Sequence, residues 1–211
     1  MALRSLRRRS FVGWGLTLPF VTLVSGCVLP GSEAPPRQFG LSPLAPHQPA
    51  ATAGWSLAVA PPRALQVLDT TRIAHRPGHL ELQYYAGAAW QDRAPTMIQM
   101  LIIRSFQNDS RLQVVSDDAP GPPAEFLLTS ILQDFESEQS ADGGRAAHVT
   151  LVAALTPTTR RQQAQTQSFE AVAPAADDSM AAIVAAFDQA MTDVLGKLVA
   201  WTLATGGSLG P

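Results

Sequence analysis

The last third of the sequence carries an apolar stripe at helical spacing, and this stripe constrains the fold more than any other feature. At 100° per residue its members lie within about 120° of one another, whereas Asp188, Gln189 and Lys197 fall outside it. Capping residues at 177–179 precede the stripe, and Gly206 and Gly207 are predicted to end the helix. A helix with one apolar side packs on a sheet or on another helix. The stripe consists of Met180, Ile183, Val184, Phe187, Met191, Val194, Leu195, Leu198 and Trp201.

Residues 92–108 are predicted to form a second helix. Asp92 can cap its start, and Pro95 is tolerated in a first turn whose amides lack partners. One side of this helix, which holds Pro95, Ile98, Ile102, Ile103 and Phe106, is assigned to the core. Met97, Met100 and Leu101 lie on the opposite side, so the helix needs a second partner: a strand, a loop of the same domain, or another chain. We predict these three residues as a partner-binding surface.

The remaining folded sequence alternates with the period of two that is typical of strands. Residues 126–136, 147–155 and 163–172 are predicted to form an antiparallel meander, and shorter strands precede the first helix, beginning with an edge strand at residues 39–41. The predicted fold class is therefore α+β, with a largely antiparallel sheet and two long helices packed on one face.

The N-terminus has the features of an export signal. Four arginines in the first nine residues precede the apolar residues 11–24, a stretch too short to span a bilayer, which needs about 20 residues. The tetrapeptide Val24-Ser25-Gly26-Cys27 resembles the lipobox of bacterial lipoproteins. In those proteins the cysteine sulfur is diacylated, the chain is then cut before the cysteine, and the new amino group is usually acylated too. Cys27 is the only cysteine of the chain, which excludes a disulfide framework and a cysteine-based metal cluster. Arg8 and Arg9 leave both the general and the twin-arginine export routes open.

This interpretation divides the chain into four segments. Residues 1–26 are the lipoprotein signal peptide, 27–36 the acylated N-terminus and a proline-rich tether, 37–205 the α+β domain, and 206–211 a tail. Cleavage before Cys27 removes four of the fifteen basic residues and no acidic one, which leaves a net charge of −6. A surface of that sign argues against a nucleic-acid partner. Two or three acyl chains hold a protein durably at a membrane. Val28 follows the cysteine where an aspartate tends to keep enterobacterial lipoproteins at the inner membrane, so the resemblance to lipoproteins implies the outer membrane.

Catalytic and metal-binding motifs are missing from the sequence. It contains no Gly-x-Ser-x-Gly elbow, no phosphate-binding loop and no His-Glu-x-x-His. His75 and His79 are four residues apart, a spacing that would suit a metal on a helix, but Pro77 and Gly78 between them argue against a helix. A loop metal site formed with Glu81 is the alternative. We therefore predict no catalytic residue, no metal site and no cofactor other than acyl groups on Cys27.

Two stretches carry a resemblance to a known family. Residues 68–74 read LDTTRIA and residues 82–95 read LQYYAGAAWQDRAP. In this order and spacing they resemble the ABC-type transport auxiliary lipoprotein family, the paraquat-inducible lipoprotein C-like group, and the resemblance extends over essentially the whole mature chain. Gly40 and Ala94 depart from the family pattern. The motif residues, which we interpret as structural, are Asp69, Thr70, Arg72, Tyr84, Tyr85, Trp90, Asp92 and Arg93.

The resemblance implies a non-enzymatic component of a mammalian-cell-entry type system that moves lipids between the two membranes of a bacterial envelope. The implied partners are the substrate-binding protein of that system, its permease and ATPase, and further copies of the chain in a ring. The implied location is the periplasmic face of the outer membrane. Two alternatives remain: a periplasmic protein that itself carries a lipid, and a periplasmic hydrolase.

One charge in the second motif stretch needs a partner. Arg93 lies at the start of the predicted helix, where the helix dipole disfavours a cation. We hypothesise that Asp69 compensates it.

Overall fold

The computed structural model describes residues 34–48, 52–78, 80–116, 123–139, 143–158 and 163–210. The chain separates into residues 1–33 and the rest, a boundary inside the predicted tether. The predicted signal peptide and Cys27 therefore lie outside the described residues. Among the described residues, no helix combines the length and apolar character that crossing a bilayer requires.

The described residues form nine strands and two helices. The helices are α1 (Ala94–Asp109) and α2 (Met180–Leu209). The strands are β1 (Arg37–Phe39), β2 (Ser56–Val59), β3 (Arg63–Ala64), β4 (Arg72–Gly78), β5 (Glu81–Trp90), β6 (Gln113–Ser116), β7 (Phe126–Gln139), β8 (Arg145–Pro157) and β9 (Gln165–Pro174).

Strand β7 is the centre of the sheet. On one side it pairs antiparallel with β8 over almost its whole length, and β8 pairs antiparallel with β9 without a register shift. This is the predicted meander. On its other side β7 pairs in parallel with three short strands in turn, β2, β3 and then β4. Beyond these lie β6, parallel to β2, and β5, antiparallel to β4 and parallel to β1.

The predicted fold class is confirmed, because the long pairings are antiparallel and both helices lie over one face of the sheet. The residues of β8 that point towards α2 are fully buried, among them Val149, Leu151 and Leu155. Trp90 of β5, Phe135 of β7 and Phe187 of α2 form the aromatic centre, with ring centroids 5.0–5.3 Å apart. The predicted core side of α1 is buried, and six members of the α2 stripe are too: Ile183, Phe187, Met191, Val194, Leu195 and Leu198.

The start of α1 differs from the prediction. The helix begins at Ala94 with Arg93 at the N-cap position, and no side chain caps it. The Asp92 carboxylate accepts the backbone N–H of Arg93, 2.6 Å away, which precedes the first turn. Asp92 as the cap of the helix was therefore wrong, whereas Pro95 does lie in the first turn.

The end of α2 also differs from the prediction. Ser179 caps the helix, since its hydroxyl oxygen accepts the Ala182 N–H at 3.2 Å, but Gly206 and Gly207 do not end it. The helix continues to Leu209. Within it Gly206 packs against the indole of Trp55, and a β-carbon at this position would overlap the ring. The glycine is required here by close packing and not by a turn.

The sheet face turned away from the helices is called the open face. On β7 it carries Leu127, Thr129 and Ile131, which alternate with the buried Phe126, Leu128 and Leu132. On β8 it carries His148, Thr150, Val152 and Ala154, and on β9 Thr166, Ser168, Glu170 and Val172.

Candidate functional site

The family motif lies where the loop before β4 meets the junction of β5 and α1. The hypothesised pair between Arg93 and Asp69 is confirmed: Nε of Arg93 donates to Oδ1 at 2.9 Å and Nη2 donates to Oδ2 at 2.5 Å. Both side chains are partly exposed, 59% for Arg93 and 33% for Asp69. Two parallel hydrogen bonds fix the geometry of such a pair more firmly than a single contact does.

Backbone hydrogen bonds hold the same loop to the junction. The carbonyl of Thr70 accepts the Ala94 N–H at 3.1 Å, and the carbonyl of Thr71 accepts the Trp90 N–H at 2.7 Å. The Thr70 hydroxyl oxygen also accepts the N–H of Arg72 at 3.2 Å. The first motif stretch therefore sets the direction in which the chain leaves β5 and enters α1.

The aromatic motif residues are engaged within the chain. The Arg72 guanidinium lies 3.7 Å from the centroid of the Tyr84 ring, whose hydroxyl donates to the carbonyl of Val67 at 2.9 Å. The Tyr85 hydroxyl donates to Oγ of Ser137 at 3.1 Å, and Trp90 is in the core. These contacts fit the interpretation of the motif as structural.

We predict a coupling energy of about 0.5–1 kcal/mol between Asp69 and Arg93, the value typical of an exposed ion pair with good geometry. Asp69→Ala, Arg93→Ala and the double variant would be compared by urea unfolding. Arg104 is an exposed arginine of α1, so Arg104→Ala with Asp69→Ala is the matched control and should show no coupling. A value near zero for the Asp69–Arg93 cycle would contradict the prediction.

The predicted partner-binding surface of α1 is only partly available. Met97 and Leu101 are buried within the chain, at 3% and 4% exposure, whereas Met100 is 43% exposed. The two buried residues are therefore corrected to core residues. For Met100 the role remains a prediction.

Residues 41–48 supply the second partner that α1 was expected to need. The Leu44 N–H donates to Oγ of Ser105 at 3.1 Å, and Nδ2 of Asn108 donates to the carbonyl of Leu44 at 2.7 Å. Leu101, Ser105 and Asn108 are four and three residues apart, so they lie on one side of the helix. A loop of the same chain thus covers the second apolar side.

The histidines do not form a catalytic arrangement within the described residues. The His75 ring stacks on Tyr85 at 4.6 Å between centroids, and burial, followed by the charge of Arg145, lowers its pKa, which keeps it neutral at pH 7. His148 lies on the open face with Nε2 2.9 Å from Oε1 of Glu170. His79 is outside the described residues, and among the described ones no group of three or more histidine, aspartate or glutamate side chains is arranged to hold a metal ion.

A shallow cavity of about 470 Å³ lies beside Trp55 and is lined by Ser56, Arg111 and Glu125. Oε2 of Glu125 accepts the Ser56 hydroxyl and, at 2.7 Å, the Ser56 N–H. These hydrogen bonds lower the pKa of Glu125 below its usual range. The Glu125 carboxylate therefore joins the start of β2 to the start of β7 through its hydrogen bonds with Ser56.

We predict that Ser56→Ala lowers the free energy of unfolding by about 1 kcal/mol at pH 7. Because the folded-state pKa of Glu125 is lowered, its contribution is present above the unfolded pKa and is lost as the pH falls through the folded value. The difference between wild type and Ser56→Ala should therefore shrink towards pH 3, measured by urea unfolding at both pH values. Ser168→Ala, at an exposed serine of β9, should show no such change, and a difference independent of pH would refute the assignment.

One surface was missed by the sequence analysis. On the open face, two neighbouring cavities of about 660 and 500 Å³ meet at Arg63 and Ile131. The first half of β7 has apolar residues at both odd and even positions, which is typical of a strand with two apolar faces. That signal was present in Leu127, Leu128, Ile131 and Leu132.

The sequence and the fold are similar to those of known proteins. The family model described as "ABC-type transport auxiliary lipoprotein component" matches residues 39–199. The crystal structure of protein XCC0632 from Xanthomonas campestris is similar with 30% identity and a TM-score of 0.74, covering 82% of this chain and 97% of that one. A second crystal structure, of an uncharacterised protein, shares the fold at 12% identity and a TM-score of 0.62, covering 80% of this chain and 99% of that one. No curated protein matches the chain.

The match covers the domain from the end of β1 into α2 and includes the whole motif that joins the loop before β4 to α1. The family is a transport component and not a known enzyme family. The chain belongs to the family of ABC-type transport auxiliary lipoprotein components.

Proposed function

We propose that the protein is a lipid-anchored periplasmic component of a mammalian-cell-entry type ABC system that transports lipids between membranes. The observation that carries the proposal is the family match over residues 39–199, joined to the lipobox-like sequence that ends at Cys27. Acyl groups on Cys27 anchor the domain at the periplasmic face of the outer membrane. There it docks the substrate-binding protein, which works with a permease and an ATPase, and further copies of the chain form a ring.

The described part of the chain supports a binding role over a catalytic one. His75 stacks on Tyr85, His148 contacts Glu170, and the Glu125 carboxylate binds Ser56 of the neighbouring strand. Met100 on α1 and Ile131 and Val172 on the open face are among the large apolar side chains left exposed.

The anchor is tested with Cys27→Ser. We expect the variant to leave the membrane fraction and to lose incorporation of labelled palmitate, because the thiol is the acyl acceptor. Ser32→Ala, five residues downstream, is the matched control and should behave as wild type. A Cys27→Ser protein that still fractionates with membranes and supports lipid transport would overturn the proposed anchor.

Docking is tested separately. A photoreactive residue at position 100 should crosslink the anchored protein to the substrate-binding protein or to a second copy. Adducts confined to one chain would remove Met100 from the proposed interface. Failure of the anchored wild-type protein to copurify with any mammalian-cell-entry protein would overturn the docking role.

A further inference from the structure

Two neighbouring cavities on the open face share two lining residues, and we call them together the Arg63 groove. The larger cavity, about 660 Å³, is lined by Pro61, Leu127, Val152 and Ala154, and the smaller, about 500 Å³, by Ala64 and Leu65. Both include Arg63 and Ile131. Each volume lies in the range of small-molecule sites, about 300–1,000 Å³.

The groove exposes apolar side chains where an antiparallel sheet normally presents polar ones to solvent. Ile131 is 49% exposed and Leu65 is 70% exposed. Across the sheet, Ile131 lies opposite Val152 on β8 and opposite Arg63 on β3. Exposed apolar side chains that line a concave surface are a feature of small-molecule sites.

A single cation lies between the two apolar recesses. Arg63 is exposed and forms no ion pair within the described part of the chain. Asp134 is the one carboxylate among the described residues that line the groove, it lines only the smaller cavity, and it forms no ion pair with Arg63. An arginine free of a carboxylate partner is well suited to pair with a phosphate.

Strand β7 itself cannot accept an added strand at the groove. At Ile131 and Leu132, β7 is already paired with β8 on one side and with β3 on the other. A protein segment bound here would gain no main-chain hydrogen bonds from β7, which are the source of affinity when a strand is added to a sheet edge. What remains is apolar surface on both sides of one positive charge.

We propose that the Arg63 groove binds an anionic phospholipid, with its acyl chains in the two apolar recesses and its phosphate paired with the Arg63 guanidinium. The inference deepens the proposed function, on which it rests for the source of the lipid. The lipid lies on an open surface and is not enclosed, so it can pass to a partner that covers the same face.

The experiment uses the full-length, anchored protein in cells grown with ³²P-phosphate. Ile131 is replaced by p-benzoylphenylalanine, the cells are irradiated, and the purified protein is examined for a labelled lipid adduct. The matched control has the same photoreactive residue at Leu80, which is fully exposed and outside the groove. We expect labelled lipid at position 131 and none at position 80.

The charge is tested in the same background. Arg63→Gln should lower the ³²P label at position 131 by about fivefold, the factor that corresponds to one exposed charge interaction, whereas Arg63→Lys should retain most of it. Arg63 is exposed, so thermal unfolding should confirm that both variants fold as wild type does.

Three results would overturn the inference: no adduct at position 131, an adduct with a protein, or an acyl adduct without ³²P, which would come from the anchor or from a neutral lipid. If one of these results is found while the wild-type protein still copurifies with the mammalian-cell-entry protein, the inference about the groove is wrong but the proposed function is not contradicted. Loss of copurification from the wild-type protein would instead count against the proposed function.

Discussion

Replacing Arg76 with methionine is expected to lower the free energy of unfolding by about 3 kcal/mol, because it leaves a buried carboxylate without its cation. Nε and Nη2 of Arg76 donate to Oε1 of Glu136 at 3.0 and 2.6 Å, and the Glu136 side chain is only 3% exposed. The same hydrogen bonds raise the pKa of Arg76 further above its usual range. Arg76 is partly exposed, and the Phe135 N–H still donates to Glu136 in the variant. We therefore expect a loss of stability at the lower end of the range that is typical when one partner of a buried ion pair is removed.

The double variant Arg76→Met, Glu136→Leu separates the cost of an unpaired charge from the loss of packing. Replacing both partners with apolar residues should recover most of the lost stability, since a buried ion pair is often no more stabilising than an apolar pair of similar volume. Arg104→Met on the exposed side of α1 is the control. Urea unfolding followed by tryptophan fluorescence measures the free energy of unfolding of the wild type and the three variants. A loss below about 1 kcal/mol for Arg76→Met would show that the buried Glu136 carboxylate does not need the Arg76 cation for stability.

Replacing Phe187 with alanine should lower the free energy of unfolding by about 3–5 kcal/mol, the range for a large aromatic side chain removed from a closed core. Phe187 is fully buried, with its ring edge-on to Trp90 at 5.2 Å and to Phe135 at 5.0 Å. It joins α2 to the sheet at the point where β5 and β7 contribute their aromatic residues. Loss of the ring therefore leaves a cavity in the interface between the two layers.

Two variants of α2 calibrate this result. Phe187→Leu keeps most of the volume and should cost less than Phe187→Ala. Val184→Ala removes a half-buried side chain from the same helix and should cost about 1 kcal/mol or less. Equal losses for Phe187→Ala and Val184→Ala in urea unfolding would mean that the aromatic cluster does not hold the layers together.

The features that the sequence predicted correctly are those set by local periodicity. The apolar stripe of α2 and the core side of α1 follow from side chains three and four residues apart, and the meander follows from alternation within each strand. The pair between Asp69 and Arg93 was predictable because the helix dipole leaves an arginine at a helix start in need of a carboxylate.

The features that the sequence did not predict depend on distant contacts. The parallel pairing of β2, β3 and β4 with β7 joins segments about 60–70 residues apart, which no local pattern records. Leu44 bonds to Ser105, on the side of α1 that also carries Met97 and Leu101, and Gly206 within α2 packs against Trp55. In each case packing by a distant segment overrides the local preference.

The contact between Gly206 and Trp55 joins the last turn of α2 to the residue that directly precedes β2. A nascent chain that has emerged only as far as β9 still lacks all of α2, and its β8 residues have nothing to cover them. Native folding must therefore wait until residue 206 has left the ribosome or the export channel. On an export route for unfolded chains, this order would keep the domain unfolded until its last helix has crossed the membrane.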